Sequence, residues 1–177
     1  MADDMKRSPV INLDQLELRP LPPVMAAPGE TAERYAPRVA AVGLLLGATK
    51  LGYNVIALPP GKRGFPFHSH RENEEMFFVL NGTGEIRIGD EFHPLRSGDI
   101  VSCPAGGPET AHQIINTGTV DLCYLALSTK CSPDIIEYPD SGKFRVISDD
   151  AVDADGTPRH FDVIGRTGES LGYWDGE

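Results

Sequence analysis

A succession of short strand-like runs, each ended by turn residues, most constrains how this chain can fold. Between residues 51 and 128, apolar and β-branched residues come in short groups separated by Pro, Gly, Asn or Asp. Short strands at this spacing are typical of β-sandwiches and barrels. We therefore predict an all-β fold. The predicted strands are Leu51–Leu58, Glu75–Leu80, Glu85–Ile88, Glu91–Pro94, Ile100–Ser102, Ala111–Asn116 and Leu122–Ser128.

The N-terminal segment is rich in proline and predicts an extended arm. Six prolines fall within residues 1–37, and each one fixes φ and removes a backbone hydrogen-bond donor, which prevents a long helix. A short helix at Thr31–Tyr35 fits between them, because a threonine can cap it. The apolar run Val39–Leu46 is compatible with either a strand or a helix.

The C-terminal part of the chain is less regular, although Ile135–Tyr138 and Phe144–Ile147 have the composition of strands. The polar end still carries Phe161, Tyr173 and Trp174, so we expect it to pack against the rest of the protein. We predict a single domain. Its parts are an N-terminal arm with the first strands (1–50), a barrel core (51–130) and a C-terminal extension (131–177), together 1–177.

The charge balance excludes two classes of partner. Acidic residues outnumber basic ones by 26 to 16, and the formal net charge is −10 at pH 7. Such a surface repels both nucleic-acid phosphates and anionic lipids. A helix-turn-helix would show as two short amphipathic helices with basic residues, and the sequence predicts no such pair. We therefore expect no nucleic acid and no membrane as partner.

The cysteines and the N-terminus bear on where the protein is found. The three cysteines form no CxxC pair, which favours free thiols in a reducing compartment over a disulfide framework. The N-terminus lacks the apolar core of a signal peptide. The apolar run Val39–Ala48 is too short to span a bilayer. We therefore expect a cytoplasmic location.

One group of residues has the composition and spacing of a metal site. His68 and His70 are two residues apart, so on a strand their imidazoles point to the same face. Glu75 follows a polar loop that allows it to fold back, and His112 offers a third imidazole. The chain has five histidines, and these three are the ones that share a pattern. Three imidazoles and a carboxylate suit one divalent transition metal, namely Mn, Fe, Co, Ni, Cu or Zn, and leave positions open for other ligands.

Two segments resemble the sequence motifs of the cupins. Residues 61–82 resemble the first motif, in which two histidines and a glutamate bind metal, and the spacing to Gly82 selects Glu75 over Glu74. Residues 98–116 resemble the second motif, whose histidine corresponds to His112. Two loops differ from the usual spacing, and neither difference removes a ligand. The resemblance implies a double-stranded β-helix, or jelly-roll barrel, with a four-residue metal site.

A wider resemblance covers the flanking segments. They are similar to a group of single-domain bacterial cupins sometimes labelled sugar-phosphate-isomerase-like, a label that rests on fold and carries little weight for function. On strand alternation, Phe77 and Val79 share the face of Glu75, and Ile114 shares the face of His112. We expect these three to line the pocket, and Gln113 to face outward.

These observations leave three functions open, each with a small-molecule ligand. The first is a metal-dependent enzyme that acts on a small polar molecule such as a sugar or sugar phosphate, with isomerase-like chemistry. The second is a dioxygenase, because the ligand set also suits a redox-active metal. The third is a cupin that binds a small molecule without turnover. Because open barrels need cover for their edge strands, we also expect a homodimer.

Overall fold

The computed structural model describes residues 9–152 and 158–177, and it shows antiparallel strands with very little helix. The single α-helix in these ranges, α1, has only five residues (Val42–Leu46). It is too short to cross a membrane, and so is every other helix in the described ranges. The strands are β1 (Arg19–Pro20), β2 (Arg38–Ala40), β3 (Leu51–Leu58), β4 (Ser69–His70), β5 (Glu75–Asn81), β6 (Thr83–Ile88), β7 (Glu91–Arg96), β8 (Ile100–Cys103), β9 (His112–Ile115), β10 (Leu122–Thr129), β11 (Asp134–Tyr138), β12 (Lys143–Val152) and β13 (Pro158–Arg166).

Three antiparallel sheets make up the fold. The largest has six strands in the order β1-β2-β3-β10-β5-β8, the second has the order β13-β12-β11-β4, and the third has the order β7-β6-β9. Neighbouring strands in each sheet are often far apart in sequence, which is the arrangement of a jelly roll. The all-β prediction and the jelly-roll fold are confirmed.

The predicted strands agree closely with the observed ones. Strand β3 has the predicted bounds, and the six other predicted core strands differ from the observed ones by no more than two residues at either end. The ambiguous run after residue 38 resolves into β2 followed directly by α1. Gly47 ends α1 with a left-handed φ of 77°, a conformation that glycine adopts without a steric penalty.

Two local predictions need correction. The helix expected at Thr31–Tyr35 is a 3-10 helix at Gly29–Glu33, preceded by Pro28. Proline begins such a turn readily because its φ is already fixed. The C-terminal segment forms a long hairpin of β12 and β13, and β13 was not predicted because its residues do not alternate between apolar and polar.

The hydrophobic core lies between the six-stranded and three-stranded sheets. Its largest fully buried side chains include Tyr124, Leu58, Ile86, Leu122 and Val79. They come from β3, β5, β6 and β10. Alternate residues of these strands face this interior, as the period of a pleated strand requires. The same alternation brings the functional side chains to one end of the interior.

Candidate metal centre

The four residues singled out in the sequence come from three neighbouring places in the fold. His70 ends β4, and His68 precedes it in a β-bridge with His112. Glu75 begins β5 and His112 begins β9. The His68 N–H donates to the carbonyl oxygen of His112 at 3.2 Å, and the His112 N–H donates to the carbonyl oxygen of His68 at 2.8 Å. Two chain segments that carry histidines are thus held side by side.

The side chains converge on one carboxylate oxygen. Oε2 of Glu75 lies 2.7 Å from Nε2 of His112, 3.6 Å from Nε2 of His70 and 3.7 Å from Nε2 of His68. Ligand atoms of His68, His70 and Glu75 all lie within 4.8 Å of one another. The structure therefore brings His68, His70 and Glu75 into one cluster, and His112 joins it through its contact with Glu75. The carboxylate there belongs to Glu75, while Glu74 is exposed on the preceding loop.

Each histidine is oriented through its other ring nitrogen. Nδ1 of His68 lies 2.7 Å from the carbonyl oxygen of Pro66, and Nδ1 of His112 lies 3.3 Å from that of Thr110. Nδ1 of His70 lies 2.6 Å from Oδ2 of Asp134. Nε2 of His112 donates to Oε2 of Glu75 at 2.7 Å. For His68 and His70, the oxygen acceptors place the proton on Nδ1 and leave the Nε2 lone pair free. This is the arrangement that metal-binding histidines use.

Asp134 is a functional residue that the sequence did not reveal. It begins β11 in the C-terminal extension and is 5% exposed. Besides His70, its carboxylate accepts a hydrogen bond from the backbone N–H of Glu72 at 3.2 Å. Its contact with His70 joins positions 64 residues apart. No motif spacing contains that pairing, so sequence reasoning had no signal for it.

The electrostatics of the site favour a neutral His68 imidazole and ionised carboxylates at Glu75 and Asp134. Burial, followed by repulsion from His112, lowers the pKa of His68 from 6.5 to about 4, although Glu75 opposes this shift. Burial acts to raise the pKa of Glu75, but the hydrogen bond from His112 and the nearby imidazoles outweigh it and lower the pKa. Burial also acts to raise the pKa of Asp134, but the hydrogen bond from His70 outweighs it and the pKa is lowered. These are the protonation states that metal ligands need.

The donor set fits a divalent transition metal. The three Nε2 atoms lie within 3.7 Å of the same carboxylate oxygen of Glu75. Imidazole nitrogen suits Mn, Fe, Co, Ni, Cu and Zn, whereas Mg and Ca prefer shells made of oxygen. His68, His70, Glu75 and His112 are thus the residues that would hold such an ion.

A cavity of about 700 Å³ opens next to these residues. His68, Glu75 and His112 form its floor, and the side walls come mainly from apolar residues of the large sheet. The N-terminal arm closes one side. The remaining lining residues are Arg19, Pro20, Leu21, Pro22, Met25, Val39, Ala41, Asn54, Ile56, Phe65, Phe77, Gln113, Ile114, Tyr124 and Ala126.

The residues expected to line the pocket lie in different places. Phe77 and Ile114 line the cavity, and the Phe77 ring lies 5.4 Å from the His112 ring. Val79 is fully buried in the hydrophobic core, two residues further along β5. The expectation for Gln113 is wrong. Gln113 is 4% exposed, and its amide donates to the carbonyl oxygen of Phe65 at 2.6 Å, because the segment around Phe65 covers this face of β9.

Two solved structures share the fold over nearly the whole chain. A candidate sugar phosphate isomerase from Acidithiobacillus ferrooxidans superposes with a TM-score of 0.75 at 20% identity, covering 93% of this chain and 96% of the other. A cupin-superfamily sugar phosphate isomerase from Silicibacter pomeroyi gives a TM-score of 0.72 at 25% identity, covering 94% and 98%. The arm and the C-terminal hairpin therefore occur in other proteins together with the barrel.

The curated relatives match a shorter part of the chain. The oxalate-binding protein of Thermotoga maritima is 33% identical over 70 residues, which are 40% of this chain and 54% of that protein. The chain thus spans about half the length of this relative.

A family model matches a central segment of the chain. The model describes the cupin domain and covers residues 54–128. His68, His70, Glu75 and His112 all lie inside this range, while Arg19 and Asp134 lie outside it. The match agrees with the jelly-roll topology and with the structural neighbours. Residues 54–128 thus match the cupin domain, and the fold of the described chain agrees with that match.

Proposed function

We propose that this protein is a metal-dependent enzyme that converts a small polar molecule bound in the cavity beside the metal centre. The observation that carries the proposal is the convergence of three Nε2 atoms and a carboxylate oxygen on one point at the cavity floor. A metal bound there would act as a Lewis acid on an oxygen of the substrate. One divalent transition metal per chain is the expected stoichiometry.

The protein residues have separate tasks in this proposal. His68, His70, Glu75 and His112 hold the ion, and Asp134 and two backbone carbonyls orient the imidazoles. Phe77, Ile114 and the arm keep bulk water away from the floor of the cavity. A dry site strengthens each electrostatic interaction with the substrate.

The cavity lining bears on the substrate. Arg19 is the one cation among the lining residues, and it lies at the solvent end on the arm. Most other lining residues are apolar, and buried hydroxyl groups without partners are costly. Isomerisation of a sugar phosphate is the first candidate reaction, because both full-length structural neighbours carry that name. The lining favours a substrate with one anionic end and few hydroxyl groups.

Dioxygenase chemistry is the second candidate, because three imidazoles and a carboxylate also hold iron or nickel. A turnover assay on the protein loaded in turn with Mn, Fe, Ni, Co, Cu and Zn separates the candidates. Sugar phosphates and small apolar carboxylic acids would be offered under air and under nitrogen. We expect conversion of one class with at least one metal. Isomer formation under nitrogen identifies an isomerase, and oxygen uptake an oxygenase, whereas retained ligand without turnover in every arm would contradict an enzyme.

The homodimer and the cytoplasmic location remain predictions. Several large apolar side chains of the C-terminal segment are exposed, among them Ile164, Tyr173 and Trp174. A second copy of the chain would cover them. Sedimentation at micromolar concentration checks this, and a monomer mass would contradict it.

A further inference from the structure

We infer that the Tyr124 hydroxyl donates a hydrogen bond to the part of the substrate that lies next to the metal. This inference rests on the proposed function, because it assumes a small molecule at the cavity floor. It assigns a substrate-contacting role to a residue that the cupin motifs do not contain.

Tyr124 is buried in the right place for this role. It lies on β10 and is 2% exposed, yet it lines the cavity together with His68, Glu75 and His112. Its ring stands edge-on to that of Phe77 with centroids 5.8 Å apart. Phe77 in turn contacts His112. The phenol therefore belongs to the wall that rises from the metal centre.

The hydroxyl has no partner within the part of the protein that the structure describes. The nearby imidazoles and Gln113 have other partners: His68, His70 and His112 through Nδ1, and Gln113 through Phe65. For the Tyr124 hydroxyl, no hydrogen bond occurs among the described side chains and backbone. Because Tyr124 lines the cavity, this donor is available to an oxygen of a molecule that binds there.

The position of the hydroxyl is also fixed. It packs so closely on the Gly64 backbone that a Cβ at position 64 would lie 2.8 Å from the phenol oxygen. The Gly64 backbone is held by its own N–H, which donates to the carbonyl oxygen of Ile114 at 3.0 Å. A donor that is already immobilised loses little entropy when a ligand binds.

The phenol remains protonated, so it acts as a donor. Burial, and secondly the negative charge of Glu75, raise the pKa of Tyr124 far above its usual range. Substrates with an oxygen at the metal, such as a carboxylate, an enolate or a carbonyl, are the class that this geometry would select.

The test compares wild type with Tyr124→Phe, each loaded with Co²⁺, whose visible spectrum reports on ligands that enter its coordination shell. Oxalate serves as the probe because it is small, anionic and chelates divalent metals. We expect both proteins to bind Co²⁺ with equal affinity, and Tyr124→Phe to bind oxalate about tenfold more weakly or worse, the usual cost of losing a hydrogen bond to a charged acceptor. Tyr53→Phe, on β3 and outside the cavity lining, is the matched control and should behave as wild type.

Each outcome has one meaning. Equal oxalate affinity in Tyr124→Phe and wild type would overturn the role of Tyr124 while leaving the metal centre intact. A wild-type protein that fails to bind Co²⁺ would overturn the proposed function itself. Thermal unfolding of the two variants shows whether weaker oxalate binding arises from a damaged fold, and Gly64→Ala, which crowds the same hydroxyl, should weaken oxalate binding without removing the phenol.

Discussion

The floor and the mouth of the cavity are built in different ways. At the floor, side chains from β4, β5 and β9 meet, each histidine is held at its second nitrogen, and the polar groups are buried. At the mouth, the arm supplies mainly apolar residues and one arginine, whose side chain is 71% exposed. Under the proposed function, the barrel would hold the metal, and the arm would select which molecule reaches it.

The largest effect is expected at the carboxylate of the floor. Glu75→Gln keeps the size of the side chain but removes the charge that three imidazoles surround. We expect metal affinity to fall by more than about 100-fold, since loss of an outer partner alone costs 10- to 100-fold. Competition with a chromophoric chelator measures it. Glu74→Gln, at an exposed neighbour, is the control. If Glu74→Gln loses metal affinity and Glu75→Gln keeps it, Glu75 is not the ligand.

A smaller effect is expected behind the floor, at Asp134. Asp134→Asn keeps the shape but weakens the acceptor that orients His70. Metal affinity should fall by about 10- to 100-fold, in the same chelator competition. Asp90→Asn, in an exposed turn, should leave it unchanged. An Asp134 variant with full metal affinity would show that the orientation of His70 comes from β4 alone.

The floor should also make the stability of the metal-free protein depend on pH. The pKa of His68 is about 4 in the folded protein and 6.5 in its ordinary state, so between these values the unfolded chain binds more protons. Stability is complete well above pH 6.5 and falls as the pH is lowered towards 4, by about 2 kcal/mol at pH 5. Glu75 has a lowered pKa and contributes its own loss only below about 4.5.

Urea unfolding with a chelator present, at pH 7 and pH 5, measures this dependence. His68→Asn should flatten it, whereas His93→Ala, on exposed β7, should not. If the stability of His68→Asn depends on pH as steeply as that of wild type, a group other than His68 is responsible for the pH dependence.

The smallest effect is expected at the mouth. Arg19→Gln removes the one cation of the cavity lining, and Arg19 is now paired with Glu17 at 2.5 Å. Because exposed ion pairs are weak, we expect oxalate to bind about two- to fivefold more weakly to the Co²⁺-loaded variant, with unchanged metal affinity. Arg96→Gln on β7 is the control. A change in metal affinity in Arg19→Gln would contradict the view that the mouth affects only the binding of the small molecule.

The sequence predicted the floor far better than the mouth. His68 and His70 lie on one face because strands alternate, and Glu75 and His112 begin strands whose hydrophobic runs are evident. Asp134 could not be found, since its contact with His70 depends on how the C-terminal extension pairs with β4. The same holds for the arm, because prolines indicate an extended segment but not the surface on which it lies.

Metal content tests the central claim most directly. The protein would be purified without added metal and analysed by mass spectrometry, alongside His112→Ala and the control His93→Ala. We predict close to one divalent transition metal per chain in wild type and His93→Ala, and little or none in His112→Ala. Wild-type protein that contains no metal and takes up none on addition, or His112→Ala that retains the full amount, would contradict the account.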